Sequence, residues 1–347
     1  MKHENNFNIL RLIAAFQVLL GHSINQLDIA ALGSFEHVIE LFPGVPVFFI
    51  VSGFLIGGAF QRSESTSEFA FNRIKRIFPG LWVAYLLAVM VILYFGVEFE
   101  GAEFMVWSAS QITVFQSYDP EFLTTFGAGK MNPPLWTILV ELQFYIMTPF
   151  LCMLVTRKKP WVFIFIFIFL LLMKLGNNYL HIEGGILGKA LNQTLFPHLY
   201  LFLMGICISY SDKFVNVFLR EKVLFWIAIY AVVISVAGAF GLEVRSNWQN
   251  PIVSAVLGML ALSFALSNVG IFKRVNPSFD ISYGIYIYHY IFINIFIVMG
   301  WMFIWEYLLG LVMAVIAASL LSWYLVEKPA LSMRFIDFKG KLTRVIG

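Results

Sequence analysis

Residues 8–24 read NILRLIAAFQVLLGHSI, an apolar segment interrupted only by a few polar residues, among them Arg11 and His22. As a helix it is long enough to reach most of the way across a hydrocarbon core of about 30 Å. The whole chain has the same character, since 60% of its 347 residues are hydrophobic and 12% are charged, against roughly 25% charged in soluble domains. The segment contains Arg11 and lacks a small-residue cleavage site, so we expect an uncleaved first span and not a signal peptide.

The remaining apolar windows extend this reading to an all-α polytopic membrane protein with about ten transmembrane helices in one domain, 1–347. The windows lie at 7–25, 44–60, 73–96, 134–156, 160–176, 195–211, 222–241, 249–268, 279–299 and 302–326. Three of them are short, and the apolar stretch at 104–116 is a further candidate, so tilted, re-entrant or additional segments would change the count.

The distribution of basic residues orients these helices. If the N-terminus is cytoplasmic, the opposite side holds only Lys130, Lys174, Lys189 and Arg245 of the 23 Lys and Arg residues, with Arg11 inside a span. By the positive-inside rule both termini are then cytoplasmic, with a cytoplasmic tail at 327–347 and an exterior loop at 97–133. That loop is either a substrate platform or a simple connector.

Several function classes are excluded at this stage. The two cysteines lie in apolar runs without metal-ligand spacing, so we expect neither a disulfide framework nor a metal site. No Lys/Arg stripe lies on a soluble domain, so we expect no nucleic-acid partner. There is no GxSxG elbow, HExxH or phosphate-binding Gly-rich loop, which argues against familiar hydrolases, zinc proteases and nucleotide-driven enzymes.

Arg11 and His22 are unusual in a membrane helix, because placing an ionisable side chain in hydrocarbon costs free energy. They are eleven residues apart, which is about three helical turns, so they share one face roughly 16 Å apart along the axis. We interpret Arg11 as a cation near the cytoplasm and His22 as an imidazole toward the exterior. The alternatives are that Arg11 snorkels to the headgroups and that His22 is an interfacial residue.

Glu141 lies at similar predicted depth to His22. It is part of PPLWTILVELQFY (133–145) and falls about 10 Å below the exterior surface. A carboxylate beside an imidazole fixes its tautomer and makes it a better general base. His22 and Glu141 are therefore the candidate catalytic pair, although the sequence leaves their contact open and Glu141 has a structural pairing as its alternative.

A second cluster, FNRIKRIFPGLW (71–82), places Arg73 and Arg76 one turn apart at the predicted cytoplasmic mouth of the third span. Guanidinium pairs suit bidentate phosphate binding, while the positive-inside rule alone also predicts basic residues here. His289, in SFDISYGIYIYHYIF (278–292), is either a structural hydrogen-bond hub or part of a pathway.

Small and aromatic residues complete the candidates. Ser52 in FFIVSGFLI (48–56) adjoins Gly53, and small residues let helix backbones approach closely. Trp136, like Trp107 and Tyr118 in the exterior loop, either stacks on sugar rings or belongs to the interfacial aromatic belt.

The ordered blocks RLIAAFQVLLGHS, FFIVSGFLI, NRIKRIFPGLW, PLWTILVELQFY, DISYGIYIYHYIF and YLVEKPA resemble the acyltransferase-3 family of integral membrane O-acyltransferases. The resemblance implies an enzyme of the bacterial cytoplasmic (inner) membrane that modifies cell-envelope or exported glycans or lipids, most often with acetyl groups. It implies acetyl-CoA or another acyl-CoA as co-substrate, no bound cofactor, a glycan or glycolipid acceptor, and contact with membrane lipid.

The resemblance also implies roles for single residues. His22 matches the catalytic base, Arg11, Arg73 and Arg76 match residues associated with the acyl-CoA donor, and Glu141 matches a catalytic or acceptor-binding position. Further candidates for acceptor binding or support are Ser52, Trp136, Tyr145 and His289. The chain departs from the family in having Asn72 before Arg73, where many members have adjacent arginines, and in ending without the exterior SGNH-type domain that some members carry.

These observations predict transfer of an acyl group from cytoplasmic acyl-CoA to a hydroxyl at the exterior side, directly or through an acyl-histidine. One rival is a secondary transporter or flippase for a lipid-linked sugar, which would use the same buried groups as a proton pathway. Another is an acyltransferase for a cytoplasmic-face or small-molecule acceptor.

Overall fold

The computed structural model describes residues 5–116, 118–156, 168, 193–268 and 279–334. Helices and turns account for this part of the chain and no strand occurs in it, which confirms the all-α prediction for the described residues. Its helices of seven or more residues are α1 (Phe7–Gln26), α2 (Gly33–Ile39), α3 (Gly44–Arg62), α4 (Thr66–Tyr94), α5 (Gly101–Ile112), α6 (Trp136–Thr156), α7 (Leu199–Ser209), α8 (Val223–Ala239), α9 (Pro251–Leu266), α10 (Ser282–Val298) and α11 (Trp305–Ser322).

Several of these helices are long and apolar enough to cross a membrane, so the chain is a multi-pass membrane protein. Among the described residues five segments meet this condition: Phe7–Gln26, Ala30–Arg62, Thr66–Tyr94, Pro133–Thr156 and Trp305–Leu331. Shorter apolar helices are α8, α9 and α10. The predicted span at 160–176 lies outside the described residues apart from residue 168, and the total of ten spans and the orientation of the termini stay predictions.

The predicted span at 195–211, one of the three short windows, ends at a sharp bend of the chain. Helix α7 ends at Ser209, and the following helical segment Asp212–Leu219 is bent from it by 91°. Ser211 explains the break, because its hydroxyl accepts a hydrogen bond from the Phe214 amide and caps a new helix. Counted as one broken span, this pair would raise the five to six.

The start of α4 differs from the start of the predicted third span. The helix begins at Thr66 and not at residue 73, because Ser65 caps it by accepting a hydrogen bond from the Glu68 amide at 3.1 Å. Arg73 therefore lies two turns inside the helix. In the predicted exterior loop, α5 has 12 residues, which is too short for a span.

The chain divides into two compact units, described separately below. The first contains residues 1–17, 37–62 and 140–278, and the second contains residues 18–36, 63–139 and 279–347.

In the first unit, α3 and α7 approach closely because each presents a glycine to the other. A Cβ on Gly53 would lie 2.1 Å from the carbonyl oxygen of Phe202, and a Cβ on Gly205 would lie 2.2 Å from that of Ile50. Both distances are far below van der Waals contact. The packing role predicted for Gly53 is therefore correct.

In the second unit, α10 is the central helix, with most of its side chains buried. It contacts α4 at Gly80, where a Cβ would lie 2.9 Å from the Tyr283 ring, and α11 at Gly284, where a Cβ would meet Ser319 at 2.9 Å. The Tyr283 hydroxyl donates to the Ile77 carbonyl at 2.8 Å. These contacts fix the helix that carries His289.

Candidate active site

His22 and His289 form a pair inside the second unit. Nδ1 of His22 lies 2.9 Å from Nε2 of His289, and the planes of the two rings are nearly parallel, with centroids 5.2 Å apart and an interplanar angle of 14°. Tyr290 meets both rings edge-on, at centroid distances of 5.7 and 6.1 Å. His289 is completely buried. His22 and His289, which were separate candidates in the sequence, thus form one hydrogen-bonded pair.

The hydrogen bonds determine the tautomers of the two rings in their neutral form. Nδ1 of His289 lies 2.7 Å from the carbonyl oxygen of Tyr286, which can only accept, so this nitrogen carries the proton. Nε2 of His289 then has a lone pair and accepts from Nδ1–H of His22. This assignment follows from the hydrogen-bond network. It leaves Nε2 of His22 unprotonated, which is the state that a general base requires.

The residues that hold His289 are themselves anchored. The hydroxyl of Tyr286 donates to the Pro134 carbonyl at 2.8 Å and lies 2.6 Å from the Thr137 hydroxyl. Pro134 and Thr137 belong to the segment that opens α6. The turn of α10 that presents the Tyr286 carbonyl to His289 is therefore tied to a neighbouring segment of the same unit.

Asn294 fixes the loop before that segment. Its side-chain oxygen accepts from the Ala128 amide at 2.8 Å, and its amide nitrogen donates to the carbonyls of Lys130 and Met131 at 2.9 and 3.0 Å. Gly127 passes close by with φ of +56°, and a Cβ there would lie 2.2 Å from the Asn294 oxygen. Part of the predicted exterior loop is thus bound to the helix that carries His289.

Glu141 lies in the first unit, and its described partners belong to the same unit. The Tyr145 hydroxyl donates to its carboxylate, and the Ser52 hydroxyl lies 3.4 Å from the same oxygen. Three residues predicted as catalytic or supporting thus meet in one cluster. Since His22 belongs to the second unit, its pairing with Glu141 stays a prediction.

The three arginines predicted to bind the donor also lie in different units. Arg76 forms an ion pair of 2.5 Å with Asp280, and both side chains are largely buried. The guanidinium of Arg73 lies 5.7 Å from the ring centroid of Phe69. Both belong to the second unit, whereas Arg11 lines a pocket of the first unit that also contains Arg62.

The aromatic predictions have different outcomes. Trp107 is 1% exposed and is enclosed by the rings of Tyr85, Phe104 and Phe122, so it offers no face to a sugar. Of the two alternatives for Trp107, stacking on a sugar ring is therefore excluded. Trp136 is half-buried as the first residue of α6, and its acceptor role stays a prediction.

Comparison with known proteins identifies the family. A model of the acyltransferase domain family, acyltransferase-3, matches residues 4–323. The chain belongs to this family. The His22–His289 pair and the Glu141 cluster are thus features of a membrane acyltransferase, and the resemblance drawn from the ordered sequence blocks is confirmed.

Relatives match the acyltransferase over most of its length. It is 31% identical to Nodulation protein 10 of Rhizobium leguminosarum bv. viciae, covering 96% of this chain and 94% of that protein. It is 26% identical to an O-acetyl transferase of Shigella phage Sf6, covering 94% and 96%. It is 23% identical to the O-acetyltransferase OatA of Staphylococcus aureus, over 88% of this chain and 56% of that protein. No solved structure matches the acyltransferase.

The residues that surround the histidine pair carry little signal in the sequence. Tyr286 acts through its backbone carbonyl, which carries no sequence signal. Asn294 had a signal, because an amide in the middle of an apolar helix must find partners. His289 was a candidate, but nothing in the sequence connected it with His22.

Proposed function

We propose that this protein is a membrane O-acetyltransferase that moves an acetyl group from cytoplasmic acetyl-CoA to a hydroxyl of a cell-envelope or exported glycan or glycolipid. The observation that carries the proposal is the hydrogen-bond chain from His22 through His289 to the Tyr286 carbonyl. It leaves Nε2 of His22 as a free base held in one orientation. Two relatives are named O-acetyltransferases, and this supports the O-acetyl chemistry.

In the proposed reaction, Nε2 of His22 removes the proton from the acceptor hydroxyl as the oxygen attacks the thioester carbonyl. The carbon–sulfur bond breaks, and the proton on His22 passes to the leaving thiolate, so that an acetyl ester and free CoA are formed. While His22 is protonated, Nδ1–H continues to donate to His289. That bond then becomes charge-assisted and stabilises the imidazolium.

The supporting roles are assigned by chemistry. Glu141, held by Tyr145 and near Ser52, is proposed to bind the acceptor, since a carboxylate accepts hydrogen bonds from sugar hydroxyls. Trp136 is proposed to contact the acceptor through its ring. Arg11, Arg73 and Arg76 are proposed to bind the acyl-CoA donor.

Reconstitution tests the proposal. Purified protein in lipid vesicles receives acetyl-CoA labelled in the acetyl group, together with envelope glycans from cells that lack the gene. We expect label in an alkali-labile ester of the glycan, identified by mass spectrometry. Glycan that is moved across the membrane without gaining a labelled ester would indicate a transporter and contradict the proposal.

The same preparation distinguishes direct transfer from an acetyl-histidine intermediate. Incubation with labelled acetyl-CoA and no acceptor, followed by rapid denaturation, would leave label on residue 22 if the intermediate formed. Direct transfer, in which Nε2 of His22 acts only as a base, predicts no protein-bound label.

A further inference from the structure

A pocket of about 400 Å³ in the first unit brings together three arginines from different parts of the chain. Its polar lining consists of Asn5, Asn8, Arg11, Arg62 and Arg220. The other lining residues are apolar, so no carboxylate is among the described residues that line it. The volume lies within the range of small-molecule sites.

The three cations come from separate elements. Arg11 lies in the second turn of α1, Arg62 is the last residue of α3, and Arg220 directly follows the π-helical turn Val215–Leu219. The positive-inside rule accounts for basic residues at one membrane surface, but it does not account for their convergence on one cavity. Guanidinium groups that converge on one cavity attract an anionic ligand. The described lining of the pocket therefore favours an anion.

The backbone around Arg220 is fixed. The amide of the next residue, Glu221, donates to the Ser267 hydroxyl at 2.7 Å, and the Glu221 carboxylate accepts from the Asn268 amide at 2.7 Å. The Arg220 guanidinium itself donates to the Asn216 side chain at 2.7 Å. Arg220 is thus held by its own turn and by the end of α9.

The segment before Arg11 is fixed to the same place. The side-chain amide of Asn6 donates to the carbonyls of Phe264 and Ser267 at 3.2 and 2.7 Å, and its backbone amide donates to Ala265 at 2.8 Å. The start of α1 and the turn that carries Arg220 therefore share one anchor, the C-terminal end of α9. Such preorganisation reduces the ordering cost of binding a ligand.

The chemistry of the lining indicates phosphate. Guanidinium groups present planar forks that match phosphate oxygens bidentately, and several of them suit a ligand with more than one phosphate. The pocket is also lined by Phe54, whose ring stacks against Phe7 at 5.5 Å, so an aromatic wall adjoins the cationic one. A phosphorylated nucleotide combines both requirements.

We propose that this pocket binds the phosphates of the nucleotide portion of the acyl donor, with Arg62 and Arg220 as binding residues beside Arg11. The inference rests on the proposed function, which supplies acyl-CoA as donor. It adds two residues that the sequence resemblance did not single out. Phosphate on an anionic lipid headgroup has the same chemistry, and the experiment below separates the two sources.

The test measures binding and does not depend on catalysis. Full-length protein in phosphatidylcholine nanodiscs is titrated with labelled CoA and with 3′,5′-ADP, which lacks the pantetheine arm. We expect Arg62→Gln and Arg220→Gln each to raise the Kd for both probes by about ten- to a hundred-fold, the range for losing a charge-assisted hydrogen bond. Lys213→Gln is the matched control, because Lys213 is exposed and does not line the pocket. This control should bind like the wild type.

Two further variants separate a binding role from a folding defect. Asn216→Ala removes the hydrogen bond that orients Arg220 and keeps its charge, so we expect a Kd raised by a few-fold. Arg220→Lys keeps the charge and loses the bidentate fork, and it should fall between the wild type and Arg220→Gln. The Kd values are compared only among variants that elute as a single species, since such elution indicates a folded protein.

The outcomes are distinct. An unchanged Kd for CoA in the Arg62→Gln/Arg220→Gln double variant would overturn the inference. So would a double variant that loses co-purified phosphatidylglycerol in native mass spectrometry but binds CoA normally, since the pocket would then be a lipid site. Weakened CoA binding by the variants, in a wild-type protein that transfers no acetyl group, would support the pocket and contradict the proposed function.

Discussion

His289 provides the sharpest prediction, because it touches the proposed base and is not expected to touch the substrate. His289→Ala removes the acceptor that lies 2.9 Å from Nδ1 of His22. In the resting enzyme this hydrogen bond joins two neutral rings, and in the transition state it becomes charge-assisted as His22 takes the proton. Charge roughly doubles the strength of such a bond, so about 1–2 kcal/mol of it belongs to the transition state alone. We expect kcat to fall about five- to thirty-fold.

The assay is initial-rate transfer of labelled acetyl groups by reconstituted protein, with donor and acceptor varied separately. We expect kcat to fall while the KM values for donor and acceptor stay the same, since the lost interaction is made only in the transition state. His289→Gln places an acceptor oxygen near the position of Nε2 and should restore part of the rate.

Tyr290→Phe is the matched control for this experiment. It keeps the ring that meets both imidazoles edge-on and removes only the hydroxyl, so the rate should stay near the wild-type value. A wild-type kcat in His289→Ala would refute the positioning role. An equal loss in Tyr290→Phe would show that the site responds to any change and would refute the specific hydrogen-bond argument.

Three other perturbations test the framework around the site. Asn294→Ala removes three hydrogen bonds to loop backbone and should destabilise the protein by about 1–3 kcal/mol, measured by thermal unfolding in detergent. Gly205→Ala places a Cβ 2.2 Å from a backbone oxygen and should lower the Tm by an amount equivalent to about 1–3 kcal/mol or more, whereas Gly238→Ala, with nothing within 4 Å, should not. Arg76→Ala leaves the largely buried Asp280 uncompensated and should destabilise by about 3–5 kcal/mol. Adding Asp280→Asn should restore stability while the donor KM stays raised, and a donor KM that recovers as well would show that the pair is only structural.

Much of the architecture could be predicted from the sequence, because hydrocarbon imposes long apolar helices and leaves few polar side chains to explain. The spans containing His22, Ser52 and Glu141 were located correctly, and Gly53 was correctly read as a packing residue. Where the structure differed from the prediction, a single capping hydrogen bond decided the outcome: Ser65 starts α4 earlier than hydropathy indicates. Hydropathy windows do not register such single hydrogen bonds.

The candidate site was only partly predictable, for a different physical reason. Depth along a helix can be counted from sequence, and it suggested Glu141 as the partner of His22. The rotation of each helix and its lateral neighbours cannot be counted in this way. The contact with His289 arises from the packing of α10 in the second unit. Arg11 and Arg220 line one pocket because the start of α1 and the turn that carries Arg220 both form hydrogen bonds to the C-terminal end of α9.

Acetyl transfer by the His22→Ala protein tests whether His22 is the base of the reaction. The variant and the wild type are reconstituted at equal amounts and supplied with labelled acetyl-CoA and acceptor glycan, and CoA binding is measured in the same samples. We predict that His22→Ala binds CoA like the wild type but forms no acetylated glycan above background. Acetylated glycan formed by His22→Ala at the wild-type rate would contradict the assignment of His22 as the base.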